Sequence, residues 1–180
     1  MHIKIPKFLS AEECKLIEKT LLEKEQEILN LPANTDYYPG TTARYEQYNF
    51  LKFVPEIDIT SKFFDLAIMQ DENEFWIQCW GNVLNKGDAI KIHSHGLPNS
   101  IFYAANIFIS GPDDCFTYYD DTGHVSNATG ELHLIDCYLE HSVKENINDQ
   151  PRLSIACDIH FENPKHFENY DKRIIYANRN

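Results

Sequence analysis

The stretch from residue 75 to residue 161 allows few folds. It divides into short runs that are apolar or alternate in polarity: 75–84, 89–95, 101–109, 115–119, 131–137, 141–143 and 153–161. Turn-forming groups separate several of them, such as Asn85-Lys86-Gly87-Asp88, Gly96-Leu97-Pro98-Asn99 and Ser110-Gly111-Pro112-Asp113. Closely spaced strands with no helical pattern between them argue for a sandwich or a jelly-roll barrel. Ahead of this stretch the pattern differs. Ile3-Lys4-Ile5 reads as a short strand stopped by Pro6, and Ser10 and Glu13 have the spacing of a capping box. Leu16, Ile17, Leu21, Leu22, Ile28 and Leu29 recur near helical spacing, which predicts a helix over 11–29 with its Glu and Lys residues solvated. Residues 31–40 and 120–130 read as loops and 61–69 as a short helix. The aromatic stretch 42–54 reads as a strand or two, its rings either core or pocket lining. The polar tail after Pro164 carries one apolar patch, Ile174-Ile175-Tyr176, suited to packing on the barrel or to an edge strand. The expectation is an α+β fold, a jelly-roll core with supporting N-terminal helices, with residues 1–180 as one domain.

Composition excludes several classes. Hydrophobic residues make up 43% and aromatics 13%, as in a folded chain. A formal net charge of −12 repels DNA, RNA and anionic membrane, so neither nucleic acid nor membrane is expected as a partner. The five cysteines are odd in number and no two have C-x-x-C spacing. They suit reduced thiols in a cytosol-like compartment, and a cytoplasmic location is expected. The start, Met1-His2-Ile3-Lys4-Ile5-Pro6, has no apolar signal region. No apolar run approaches the roughly 18 residues of a membrane span.

The chemistry concentrates on Ile90-Lys91-Ile92-His93-Ser94-His95. On a strand, alternate residues point to one face, so His93 and His95 would project together. His141 lies in a later short strand, and Arg152 opens the next. Neutral imidazole is the commonest side-chain metal ligand. A guanidinium binds a carboxylate through two parallel charge-assisted bonds. Arg152 and Ser154, two apart, share a face. These residues can therefore build a metal centre with an anion-binding arm. His2, His124, His133, His160 and His166 read as structural or exposed.

Four blocks carry a family resemblance. They are Trp80-Gly81-Asn82 with Lys86-Gly87-Asp88; His93-Ser94-His95; Gly130-Glu131-Leu132-His133-Leu134-Ile135-Asp136; and His141-Ser142-Val143 followed by Asn146 and Arg152-Leu153-Ser154-Ile155-Ala156. In this order they resemble the 2-oxoglutarate/Fe(II)-dependent oxygenases, the double-stranded β-helix enzymes, and most closely a small branch related to prolyl hydroxylases. The resemblance covers residues 75–161 and implies roles. His93 and His141 would be iron ligands, and Arg152 with Ser154 would hold the far carboxylate of 2-oxoglutarate. Asn106 stands where the family often places a donor to the cosubstrate, and Asn82 joins this set. Trp80 and Tyr103 are further candidates for lining the pocket. Tyr103 and Asn106 have opposite parity, so at most one of them faces inward on a regular strand. The implied reaction is hydroxylation of an unactivated C–H bond of a peptide prolyl residue or a small molecule. Molecular oxygen would be consumed, and 2-oxoglutarate would go to succinate and carbon dioxide.

The sequence departs from the family at one place. His95 stands where an Asp or Glu is usual, leaving a bound iron one charge more positive. Either His95 is the third ligand of a three-histidine site, or it points elsewhere and water fills the position. Two other functions stay open: a cupin-like metalloenzyme that does not use 2-oxoglutarate, and a non-catalytic jelly-roll module that binds a ligand.

Overall fold

Helix α1 (Ala11–Leu29) begins at the box read from the sequence. The Ser10 hydroxyl accepts from the Glu13 amide at 3.2 Å, and the Ser10 amide donates to the Glu13 carboxylate at 2.7 Å. Its apolar face, with Cys14, Ile17, Leu21 and Ile28, is buried in the main core. The helix lies so close to the sheet that a Cβ on Gly81 would meet Leu21 Cδ2 at 2.1 Å. Glycine at that point of the strand admits the helix.

The computed structural model describes residues 1–33, 38–96 and 102–179. Parts of the loops read at 31–40 and 96–99, and the start of the strand read at 101–109, lie outside the described residues. The strands are β1 (His2–Ile5), β2 (Glu74–Leu84), β3 (Ile90–His93), β4 (Phe102–Ser110), β5 (Thr117–Tyr119), β6 (Gly123–Val125), β7 (Leu132–Asp136), β8 (His141–Val143), β9 (Arg152–His160) and β10 (Ile174–Asn178). They form two antiparallel sheets. The larger has the order β1-β7-β4-β9-β2-β10 and the smaller β3-β8-β5-β6. There are also two short α-helices, α2 (Ile59–Phe64) and α3 (Tyr170–Arg173). The apolar tail patch is the edge strand β10, paired with β2.

Strand parity sorts the larger sheet into two faces. Leu153, Ile155, Cys157 and Ile159 of β9 face the helices and lie within the main core. Arg152, Ser154, Ala156 and Asp158 take the opposite face, toward the smaller sheet. Across the ladder Asn82 is opposite Ser154 and Trp80 opposite Ala156 on β2, while Asn106 is opposite Ala156 on β4. The five cysteines are free and buried. No helix among the described residues is long and apolar enough to cross a membrane.

Two expectations are corrected. Residues 42–54 are not strands but 3₁₀ turns, Gly40–Arg44 and Phe50–Phe53. β2 is bonded to β9 along one edge and to β10 as far as Gln78 on the other. Beyond Gln78 the second edge is finished by side chains. The Thr41 hydroxyl donates to the Gly81 carbonyl at 2.8 Å and accepts from the Val83 amide at 3.0 Å. The Tyr48 hydroxyl accepts from the Gly81 amide at 2.9 Å. These bonds satisfy the strand's backbone without a further strand, and the aromatics pack over it. The helix read at 61–69 is likewise divided into α2 and a 3₁₀ turn, Ala67–Met69.

Candidate metal centre

His93 and His141 are register partners across β3 and β8, with ring centroids 4.3 Å apart. A bulge between Ile90 and His93 turns both of those residues toward the cavity. His95 arrives differently from the expectation. β3 ends at His93, so the two histidines do not share a strand. The chain bends, and the amides of His95 and Gly96 both donate to the Cys137 carbonyl, at 2.9 and 2.7 Å. That anchor brings the His95 ring to 5.3 Å from His93 and 5.0 Å from His141. One ligand-capable atom from each ring falls within 4.8 Å of the others.

The hydrogen bonds decide which nitrogen is free. His93 Nδ1 lies 2.8 Å from the Lys91 carbonyl, and His141 Nδ1 lies 3.0 Å from the Leu139 carbonyl. His95 Nδ1 lies 2.6 Å from Asp158 Oδ1. Each Nδ1 meets an acceptor and so carries a proton, which makes Nε2 the nitrogen of each ring left for a ligand. Burial first, then His95, lowers the His93 pKa to about 4. Burial, then His95 and His93, hold His141 well below the ordinary histidine value. Both rings are therefore neutral at pH 7, the state a metal requires.

The histidines open onto a cavity of about 140 Å³ between the two sheets. Trp80, Asn82, Asn106, Thr117, Ala156 and Asp158 are in its wall, with Tyr38 and Tyr45. Tyr103 is not: its parity sends it to the outer side, where its ring meets Phe161 at 5.4 Å and lines a separate surface groove. On β4, Ala104 and Asn106 share the inward face and line the cavity.

Arg152 sits behind the wall rather than in it. It is 0% exposed, although its side chain is among the largest. Nε donates to the Cys115 carbonyl at 3.0 Å, Nη1 to the Ser154 hydroxyl at 3.2 Å and Nη2 to the Thr117 hydroxyl at 2.9 Å. The Asn82 amide also donates to Ser154, at 3.3 Å. No carboxylate of the described residues pairs with the guanidinium. A buried charge without a counter-charge costs several kcal/mol, on the order of its effective desolvation penalty. Beside it, the buried Tyr119 hydroxyl has no hydrogen-bond partner of good geometry, with the Asn106 amide the polar group facing it. Arg152, Tyr119, Asn106 and Thr117 also border a second, very small void.

Sequence reasoning missed Thr117, Tyr119 and Asp158. Strand parity could have found Asp158, which follows Arg152, Ser154 and Ala156 at intervals of two. Nothing local marks Thr117 and Tyr119, whose relevance depends on β5 pairing with β8.

No protein-family model matches the sequence, and no curated protein matches it. Solved structures do match. A prolyl-4-hydroxylase from Pseudomonas putida aligns over 90% of this chain and 93% of its own, at 11% identity and a TM-score of 0.60. A 2OG-Fe(II) oxygenase family oxidoreductase from Burkholderia pseudomallei aligns over 90% and 85%, at 16% identity and a TM-score of 0.58. HygX from Streptomyces hygroscopicus, solved with nickel and 2-oxoglutarate bound, aligns over 88% and 81%, at 13% identity and a TM-score of 0.58. The chain therefore has the jelly-roll fold of the 2-oxoglutarate/Fe(II) oxygenases, the superfamily its sequence resembles.

Proposed function

We propose that this protein is a 2-oxoglutarate-dependent, non-haem iron oxygenase that hydroxylates a small molecule or a peptide residue. The observation that carries the reading is the buried Arg152 guanidinium, which has no acidic partner among the described residues and lies across Thr117 and Ser154 from a cavity walled by three imidazoles. A structural arginine at such depth would be paired. One that lacks a partner is set for an anion. The orphaned Tyr119 hydroxyl beside it suits the same carboxylate. The donor set also fits a divalent metal, since one ligand-capable nitrogen from each of three rings lies within 4.8 Å of the others while Nδ1 of each ring is held by an acceptor.

His93, His95 and His141 would hold the metal. Arg152, Ser154 and Thr117 would hold the far carboxylate of 2-oxoglutarate, with Asn82 orienting Ser154 and Asn106 bordering the path between the two ends. When bound, the metal and cosubstrate together supply oxygen activation, with 2-oxoglutarate going to succinate and carbon dioxide. Tyr38, Tyr45 and Trp80 form an aromatic wall, with Tyr38 5.2 Å from His93 and Tyr45 5.6 Å from Trp80 between ring centroids. This wall shields the site from water and offers a face to an apolar or ring-bearing substrate.

A cupin-like metalloenzyme that does not use 2-oxoglutarate would share the histidines but leave Arg152 without a purpose. A non-catalytic binding module would leave the fixed Nδ1 protons of all three rings unexplained. The test is succinate formation from 2-oxoglutarate with Fe(II) under oxygen. Turnover that Arg152→Ala and His141→Ala both abolish is expected. A wild-type chain that binds metal but neither binds nor consumes 2-oxoglutarate would overturn the reading.

A further inference from the structure

The three imidazoles are oriented by unequal partners. His93 and His141 lean on backbone carbonyls, which are neutral. His95 leans on a carboxylate, Asp158, at 2.6 Å, the length of a charge-assisted bond. The pair is largely shielded from solvent, with side-chain exposures of 10% for His95 and 13% for Asp158. Asp158 is the one acidic residue among the described residues that wall the cavity. It comes from β9, the strand that also supplies Arg152, while His95 comes from a bend held by Cys137. The residue opposite Asp158 on β2, Gln78, accepts from Arg173 at 2.6 and 3.0 Å through its side-chain oxygen, while the hydrogen bond of Asp158 goes to His95.

We infer that Asp158 is a positioning residue of the metal centre: it fixes His95 as an Nε2 ligand and places a carboxylate behind a set of three imidazoles. The inference rests on the metal-site part of the proposed function and is independent of the reaction. His95 lies past the end of β3, so its ring is not directed by a strand as His93 and His141 are. A carboxylate on Nδ1 does two things there. It sets the tautomer that leaves Nε2 bare, and it makes the ring a stronger donor to a cation.

The test is a calorimetric titration of the full chain with Co(II), with the ligand-field absorption of the bound ion recorded. Wild type, Asp158→Asn, Asp158→Ala, Asp158→Glu and His141→Ala are compared, together with His95→Asp and the double variant His95→Asp/Asp158→Asn. Thermal melts of the metal-free proteins check folding. Asp158→Asn should weaken Co(II) binding by roughly 10- to 100-fold and shift its absorption. Asp158→Glu should recover affinity that Asp158→Ala does not. The effect should shrink when residue 95 is itself acidic: with no imidazole left to orient, Asp158→Asn should then weaken binding by less than it does in the wild type. Unchanged affinity and spectrum in Asp158→Asn, with His141→Ala still abolishing binding, would overturn this inference and leave the metal site standing. No Co(II) binding by wild type, or none lost in His141→Ala, would overturn the metal site and this inference with it.

Discussion

Two histidine clusters, one of two rings and one of three, differ in what their nitrogens do. In one, His2 Nε2 lies 2.9 Å from His133 Nδ1, His133 Nε2 lies 2.8 Å from Glu131, and His2 Nδ1 is shared between Asp121 and Thr122 at 3.2 Å each. Every ring nitrogen is occupied by the protein. In the other, His93, His95 and His141 each commit Nδ1 to an acceptor, and the three rings bring ligand-capable nitrogens within 4.8 Å of one another. The first cluster is closed and the second is open. Tyr119 stands between them, its ring stacked on His133 at 5.3 Å and near His141 at 5.7 Å. The lesson is that proximity of imidazoles is a poor sign of a metal site. The informative quantity is the number of lone pairs the fold leaves unclaimed. His160 marks the other limit: its buried Nε2 has no partner, but it stands among Phe102 and Phe167 and belongs to no group of three metal-ligating side chains among the described residues.

The largest expected effect breaks the comparison at its centre. His93→Ala or His141→Ala should abolish divalent metal binding, a loss above about 1,000-fold, since a site of three ligands is left with two. His133→Ala should leave the affinity within about twofold. Calorimetry on the three variants reads this directly, and equal losses would erase the distinction between the clusters.

Next in size is Arg152→Met. Removing one side of a buried charge pair costs about 2–5 kcal/mol, which corresponds to roughly 30- to 4,000-fold weaker 2-oxoglutarate binding with metal affinity retained. The same change should not lower the melting temperature of the anion-free protein, because an apolar residue replaces an unpaired buried charge. A protein that melts much lower would mean that Arg152 is structural.

The smallest effect is a pH dependence of the closed cluster. Burial is the first cause that lowers the pKa of both His2 and His133. Both titrate below about 6.5 in the fold and near it when unfolded. Below that pH the unfolded chain binds more protons than the native one, so stability falls as pH decreases. The His2–His133 bond adds to this, since two protonated rings would face each other donor to donor. Melts of the metal-free protein from pH 7.5 to 5 should show the decline. Replacing His133 with Gln should flatten part of it, and an unchanged slope would remove the pair from the account.

Much of the fold was legible in the sequence because it depends on local rules. The capping box at Ser10 and Glu13, the helix behind it and the series of short strands all follow from spacing and turn residues. The 3₁₀ segments over 40–53 were not legible. Their geometry depends on which edge of β2 was left open, and that is a tertiary fact. The site divides in the same way. His93, His141, Arg152 and Ser154 sit in strands whose parity can be read. His95 was identified but placed on a strand that had already ended. Asp158 shares the parity of Arg152, yet its meaning depends on a loop anchored to Cys137, forty-two positions further along the chain than His95. Thr117 and Tyr119 become relevant only when the smaller sheet closes over the larger.

The most direct test of the central claim is anaerobic titration of 2-oxoglutarate into the wild-type chain and Arg152→Met, each with and without Fe(II). The account predicts one equivalent bound by the iron-loaded wild type, much weaker binding without iron, and loss of binding in Arg152→Met although iron is still held. Binding of 2-oxoglutarate that is indifferent both to iron and to Arg152 would contradict it.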